Sequence, residues 1–358
     1  MYNKLLERQI KRNLKGITEI PEQFKAFMDT ISQSYDHYEA DRKMIDRSLE
    51  LSSQELNEAY QTLHQTKQEI EEKNKDIMDS IHYAKRIQVA ILPSDHYIKQ
   101  NIPNSFVLFI PKDIVSGDFY WMDTKDGKIL FSAVDCTGHG VPGAFMSIVG
   151  HNGLNRAVNE YQLTKPAEIL DKLNDLLGET LRHEEHHEVK DGMDMALCCL
   201  DIQNMKLEYA GANNEIYLIR KSTPPDLPER EEIVKENDEI VATRIPLPFG
   251  EGSGVGWELI EVKADKQPIG AFDNRKSFTN HSFDLQKGDT IYIFTDGFAD
   301  QFGGPKGKKF KYAQLKELLL SNQEKTMEEQ KELLHNTIQN WRGELEQIDD
   351  ICVIGVRV

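Results

Sequence analysis

The chain has 358 residues, 39% of them hydrophobic, enough for one large domain with an extension or for two domains. Its 60 acidic residues against 43 basic ones give a formal net charge of −17, which argues against nucleic acid as a partner, because such binding rests on neutralising phosphates. No apolar run approaches the roughly 20 residues of a membrane-spanning helix, the first residues lack a signal peptide's apolar stretch, and Cys136, Cys198, Cys199 and Cys352 form no Cys-x-x-Cys pair, so a cytoplasmic chain without membrane insertion, disulfides or structural zinc is expected.

At the N-terminus, Leu5, Leu6, Ile10 and Leu14 predict a short helix ended by Gly16 and Pro21, and Phe24, Phe27, Met28, Ile31, Tyr35 and Tyr38 mark an amphipathic one within a helical segment 1–48. Leu49, Leu56, Leu63, Ile70, Ile77, Ala84 and Ile91 then recur at an unbroken seven-residue stride, uninterrupted by Gly or Pro. This stride predicts a coiled-coil linker helix over 49–92. Its companion positions are mostly polar (Ser52, Thr66, Lys73, Ser80), so the seam is weak and suits a helix that changes partners. The competing reading is one long solvated helix packed on its own domain.

Pro93 closes that region, and a second domain is expected over 94–358. Strand-like runs follow in Phe106-Val-Leu-Phe-Ile110, Lys128-Ile-Leu-Phe-Ser-Ala-Val134, Ala196-Leu-Cys-Cys-Leu200, Leu207-Glu-Tyr-Ala210 and Glu215-Ile-Tyr-Leu-Ile219. Helical patterning interrupts them between Gly143 and Leu181 and again from Gln314 to Trp341. Residues 222–265, rich in Pro, Glu and Asp, read as an acidic, exposed insertion or extended hairpin outside the core.

Aspartates stand at the ends of four apolar runs: Ser116-Gly-Asp118-Phe, Ala133-Val-Asp135-Cys-Thr-Gly-His-Gly140, Phe294-Thr-Asp296-Gly-Phe and Ile348-Asp349-Asp350-Ile351. One such Asp is ordinarily a turn-former. Four, two with an adjacent Gly, converge if the strands lie side by side. Carboxylates without His or Cys ligands nearby select Mg²⁺ or Mn²⁺ over zinc, and several around two such ions would activate water and clamp a phosphoryl group, as in a hydrolase.

Ser116-Gly-Asp-Phe-Tyr-Trp121, Asp135-Cys-Thr-Gly-His-Gly-Val-Pro-Gly-Ala144, Tyr209-Ala-Gly-Ala-Asn213, Thr295-Asp-Gly-Phe-Ala-Asp300 and Asp349-Asp-Ile351 resemble, in order and spacing, the bacterial branch of the metal-dependent (PPM, type 2C) serine/threonine phosphatases, which includes sporulation and stress-response phosphatases. The resemblance runs from about residue 94 to the C-terminus. It implies an α+β fold, a β-sandwich flanked by helices, behind an N-terminal helical coiled-coil extension. It also implies two Mn²⁺ or Mg²⁺ ions and a metal-activated water that attacks phosphoserine or phosphothreonine directly. Carried over by position, Asp135 bridges both ions and, with Asp118, forms the catalytic pair. Asp296 and Asp349 hold one ion, and the Cys136 carbonyl with Asp118, through water, completes the other. Asp300 and Asp350 are supporting or third-metal groups. The implied partners are a phosphorylated protein substrate of the anti-sigma-antagonist type and a second copy of the chain in a homodimer regulated through the N-terminal helix.

This sequence departs from eukaryotic relatives in two ways. His139 lies four residues after Asp135 instead of two, so capping the following helix competes with a general-acid role. Their phosphate-binding Arg has no evident counterpart, Lys112 being a weak substitute. The different-class alternative is an inactive phosphatase-fold scaffold acting through the coiled coil. Two further motifs are set aside on context. Gly138-His-Gly140-Val-Pro-Gly143 matches a dinucleotide fingerprint but lacks its strand-end acid and has Asp135 beside the phosphates. His183-Glu-Glu-His-His187 matches a zinc-protease helix but sits among charges.

Overall fold

A computed structural model describes residues 2–14, 19–181, 191–222, 232–234, 241–246, 256–270 and 275–358. The chain divides into two compact units, Met1–Met78 and Asp79–Val358. The His183 to His187 motif lies outside the described residues.

In the first unit, α1 (Lys4–Asn13) starts at Asn3, whose side chain accepts the backbone N–H of Leu5 and so satisfies one free donor of the first turn. Asn3 also joins α1 to α2 (Lys25–Ile91), its backbone N–H donating to Ser32 Oγ at 2.7 Å and its Nδ2 to Asp36 Oδ1 at 2.6 Å, while Leu6 is buried. Helix α2 passes residues 48 and 49 without a break. Along it Leu49, Leu56, Leu63, Ile70 and Ile77 are each more than half exposed, an apolar stripe with no cover among the described residues. No helix among the described residues is long and apolar enough to cross a membrane.

The second unit takes in the last turns of α2, then α3 (Asp95–Asn101), β1 (Ser105–Ile110), β2 (Phe119–Lys125), β3 (Lys128–Cys136), α4 (Gly140–Asn159) and α5 (Pro166–Leu181). It continues with β4 (Gly192–Asp201), β5 (Lys206–Ala212), β6 (Ile216–Ser222), β7 (Glu232–Val234), β8 (Val241–Pro246), β9 (Gly256–Val262), β10 (Ile269–Gly270), β11 (His281–Asp284) and β12 (Thr290–Phe294). The last elements are α6 (Gly297–Asp300), β13 (Phe302–Gly303), β14 (Lys308–Lys309), α7 (Tyr312–Leu320), α8 (Met327–Arg342) and β15 (Ile351–Arg357). Among the described residues one antiparallel sheet runs β1-β15-β12-β6-β9-β8-β7 and a second runs β11-β5-β4-β3-β2, with β10 on β4.

Side-chain alternation explains the layering. On β3, Ile129, Phe131 and Ala133 join Cys352, Ile354 and Ile293 of the other sheet in a core between the two sheets, while Leu130 and Val134 point the opposite way, to Leu154, Leu170 and Leu173 of α4 and α5. On β15, Ile351 and Val353 face outward onto Leu315, Leu334 and Ile338 of α7 and α8. The result is helices, sheet, sheet, helices, the flanked β-sandwich expected from the motifs.

Two expectations are corrected. Within the stretch read as an exposed insertion, 256–262 is a core strand beside β6, with Leu259 buried on the helix side and Val262 in the core between the sheets. The acidic composition around it masked a short alternating pattern. The helical run from Gln314 to Trp341 is two helices, because Thr326 and Glu329 form a reciprocal capping box that starts α8 afresh.

Candidate metal centre

The two sheets bring their aspartates to one end of the sandwich. Continuing the alternation of Phe131 and Ala133 puts Asp135, the next inward position of β3, at the rim of the gap between the sheets. Its register partner on β4 is Asp194, and Asp118 stands one residue before Phe119, whose partner is Val134. In the other sheet β12 and β15 pair Phe294 with Val353, and Thr295 extends the ladder by donating to the Cys352 carbonyl at 3.0 Å. Asp296 and Asp349 leave the sheet just beyond that pair.

Asp135, Asp194, Asp296, Asp349, Asp191 and Thr137 line one cavity of about 230 Å³, together with Gly192, Met193 and Pro268. Asp118 lies buried behind Asp135, and its Oδ2 has no hydrogen-bond partner. Burial, then the charges of Asp296, Asp349 and Asp194, push the Asp135 carboxyl up to about 8. Asp296 is raised to about 6 by burial and then by Asp349 and Asp300. Burial followed by Asp135 lifts Asp118 well above the carboxylate range, and burial lifts Asp194 against a hydrogen bond from Asn213 Nδ2 at 2.8 Å.

So much uncompensated acid in one cavity, with an orphaned buried carboxylate oxygen beside it, fits divalent cations bound through hard oxygen donors. Among the described residues no three acidic, His or Cys side chains stand close enough to hold a metal ion by themselves. An open cavity suits Mg²⁺ or Mn²⁺, which keep several of their waters. The Cys136 thiol is buried and pushed well up, first by burial and then by Asp118 and Asp135, so it is inert as a nucleophile.

The remaining singled-out residues separate by contact. Asp350 is buried and holds the loop before β2: its Oδ1 accepts the backbone N–H of Lys112 at 2.7 Å and its Oδ2 that of Gly117 at 2.8 Å. Asp300 pairs with Lys309 at 2.7 Å. His139 occupies the N-cap position of α4, but its side chain makes no capping bond; Nδ1 instead meets Asp113 Oδ2 at 2.7 Å, out on the surface. The glycines near it serve close packing, not a dinucleotide. A Cβ on Gly117 would stand 2.2 Å from the Gly138 carbonyl oxygen, and one on Gly143 would stand 2.3 Å from the same atom.

Asp194 and Asp191 were not singled out from the sequence, and Thr137 and Asn213 entered only as members of motifs, without a role of their own. For Asp194 a signal existed: an acid inside Gly192-Met-Asp-Met-Ala196, at an inward position of an otherwise apolar strand. Tyr312, at the start of α7, is a further neighbour; its hydroxyl is raised by burial and then by Asp296 and Asp300.

A sequence model of the stage II sporulation protein E family matches residues 125–251 and 253–358. In a search of curated proteins none matches the chain. Among solved structures, the SiaA PP2C domain of Pseudomonas aeruginosa superposes with a TM-score of 0.64 at 28% identity, over 80% of this chain and 98% of that one. The PP2C phosphatase domain with a fragment of the regulatory domain of SpoIIE, a cell fate determinant of Bacillus subtilis, superposes with a TM-score of 0.50 at 19% identity, over 71% of this chain and 63% of that one, which bears on the fold alone.

Proposed function

The chain belongs to the stage II sporulation protein E family and carries a PP2C-type phosphatase domain, and on that premise we propose that it is a metal-dependent phosphoprotein phosphatase acting on phosphoserine or phosphothreonine. The observation that supports this reading is the cavity in which Asp135 and Asp194 of one sheet meet Asp296 and Asp349 at the end of the other. Divalent cations bound there supply the positive charge that stabilises a transferring phosphoryl group and acidifies water.

What the chain's own residues contribute is positioning and charge. Asp135, with Asp118 behind it, and Asp296 and Asp349 opposite are the residues that hold the cations, Asp135 from the sheet that also carries Asp194. The carbonyl of Cys136 is the backbone donor proposed to join them. Asp350 fixes the backbone from Lys112 to Gly117, and so the position of Asp118, without itself facing the cavity. A direct attack by water needs no enzyme nucleophile, in keeping with a buried, electrostatically suppressed Cys136. Lys112 meets the site through its backbone N–H, so its side chain is not assigned to phosphate.

The N-terminal helices are the proposed regulatory extension. The exposed stripe from Leu49 to Ile77 suits a second copy of the same helix, with a seam weak enough to rearrange. A phosphorylated partner protein of the anti-sigma-antagonist type remains the proposed substrate. Phosphate release from phosphoserine peptides with and without Mn²⁺, in wild type and Asp135→Asn, tests the reading. Metal-dependent release that the variant abolishes is expected, and metal-dependent turnover surviving in the variant would remove Asp135 from its assigned role.

A further inference from the structure

A chain with a net charge of −17 carries one locally basic element beside its acidic cavity. Residues 301–316 contain five lysines and no Asp or Glu. Lys306, Lys308, Lys309 and Lys311 are all exposed, on and just after the hairpin of β13 and β14. Resting on the phosphatase reading above, we propose that this hairpin is a docking surface for acidic residues flanking the phosphorylated side chain of the protein substrate.

The hairpin is built onto the catalytic end, not hung from it. Phe310 is buried and packs edge-on against Phe298 of α6 (centroids 5.3 Å) and Trp341 of α8 (5.2 Å). The backbone N–H of Phe310 donates to Gln301 O at 2.9 Å, and that of Lys311 to Ala299 O at 2.6 Å. Helix α6 begins at Asp296, a wall of the cavity, so the lysines are held in fixed relation to it. Lys309 provides the link, with Nζ 2.7 Å from Asp300 Oδ2.

That pair consumes one lysine and leaves the others. Among the described residues no ion pair engages Lys306, Lys308 or Lys311, and the exposed Glu344 and Glu346, in the loop after Trp341, form none with them. A positive surface anchored through α6 to Asp296, a wall of the acidic cavity, has a clear electrostatic use. The cavity's carboxylates and the chain's overall charge repel an acidic, phosphorylated segment, and unpaired cations within about 10 Å of its path offset that repulsion before screening removes it. A short acidic peptide needs only a few such charges. Nucleic acid, with a charge on every nucleotide, would meet the negative surface beyond the hairpin.

The test uses the full-length protein with Mn²⁺ and three probes: a phosphoserine peptide flanked by Asp and Glu, the same peptide with Asn and Gln, and p-nitrophenyl phosphate. Wild type should prefer the acidic peptide through a KM about tenfold lower, a preference lost at 0.5 M salt, where the screening length falls to about 4 Å. K306E/K308E should abolish the preference, K306Q/K308Q should weaken it, and both should turn over p-nitrophenyl phosphate at the wild-type rate. Binding of the labelled acidic phosphopeptide, followed by anisotropy, needs no turnover. If K306E/K308E weakens it while no probe releases phosphate, docking stands and the hydrolase reading fails. Equal KM values for the two peptides in wild type, or a preference that survives in both variants, overturns the proposal. So does tighter binding of an oligouridine or of anionic lipid vesicles than of the peptide.

Discussion

The side-chain amide of Gln88 bonds both backbone polar groups of Ser116: its Nε2 donates to the Ser116 carbonyl at 2.6 Å and its Oε1 accepts the Ser116 N–H at 3.1 Å. Nε2 also reaches Ser147 Oγ of α4 at 2.8 Å, and the whole group is buried. Gln88 belongs to the last turn of α2, and Ser116 stands two residues before Asp118. The last turn of α2 is therefore fastened to the loop that carries a proposed metal ligand. Gln88→Leu would leave two backbone groups of Ser116 unpaired, at about 1–3 kcal/mol each. We expect kcat to fall at least tenfold with little change in KM and a folded protein by circular dichroism. Wild-type kcat in that folded variant would reduce the helix to a tether.

Asp350 acts on the same loop from the other sheet, holding Lys112 and Gly117 through separate oxygens. Asp350→Asn keeps one acceptor and Asp350→Ala keeps none. Activity should therefore fall in the order wild type, Asn, Ala, with the Ala variant losing roughly ten- to a hundredfold, in proportion to two unpaired buried donors. Mn²⁺ titration by calorimetry should still show binding in both variants. Loss of all Mn²⁺ binding in Asp350→Asn would mean that Asp350 is itself a ligand.

The metal-free protein should become less stable as pH rises. Burial and the neighbouring carboxylates hold Asp135 at about 8 and Asp296 at about 6, above the ordinary value of 3.8 for an Asp side chain. Between about pH 4 and 8 the folded state thus binds more protons than the unfolded chain, and the sign of proton linkage makes stability fall with pH over that window. Melting temperatures in chelator should decline from pH 5 to pH 8, and saturating Mn²⁺ should flatten the decline by neutralising the same groups. A metal-free melting temperature that rises over that range would contradict the crowding of charge.

Exposed apolar residues at a seven-residue stride predict self-association through α2. Light scattering of the wild type should give the mass of a dimer, and Leu56→Glu with Leu63→Glu should give a monomer, since charge in a weak seam leaves little to hold it. A wild-type monomer would end the dimer proposal. The stride continues into the helix's last turns but is covered there: Ala84 and Ile91 are half-buried, as are Ile81 and, just past the helix, Leu92, with Gln88 buried among them, whereas Ile87 and Val89 are exposed. Ile81→Glu should therefore change catalytic rate, and Ile87→Glu should change association instead.

Local chemistry made much of this protein legible before any coordinates. The apolar runs of β3 and β4, the stride of α2 and the aspartates at strand ends are short-range patterns, set by local chemistry alone. Those patterns were enough for the strands, the helical extension and the choice of hard cations, while the sandwich entered as what the resemblance to the PPM phosphatases implies. They could not assign Asp194, because its meaning comes from being the register partner of Asp135 across two strands separated by two helices. Nor could they separate Asp350 from Asp349, adjacent in sequence and yet turned to opposite tasks, one to backbone N–H groups and one to the cavity. Gln88 read as one more polar residue in a long helix until Ser116 was seen against it. Long-range pairing decides such roles, since a buried polar group is defined by the partner that satisfies it, and that partner is fixed only when the sheets and helices close on one another.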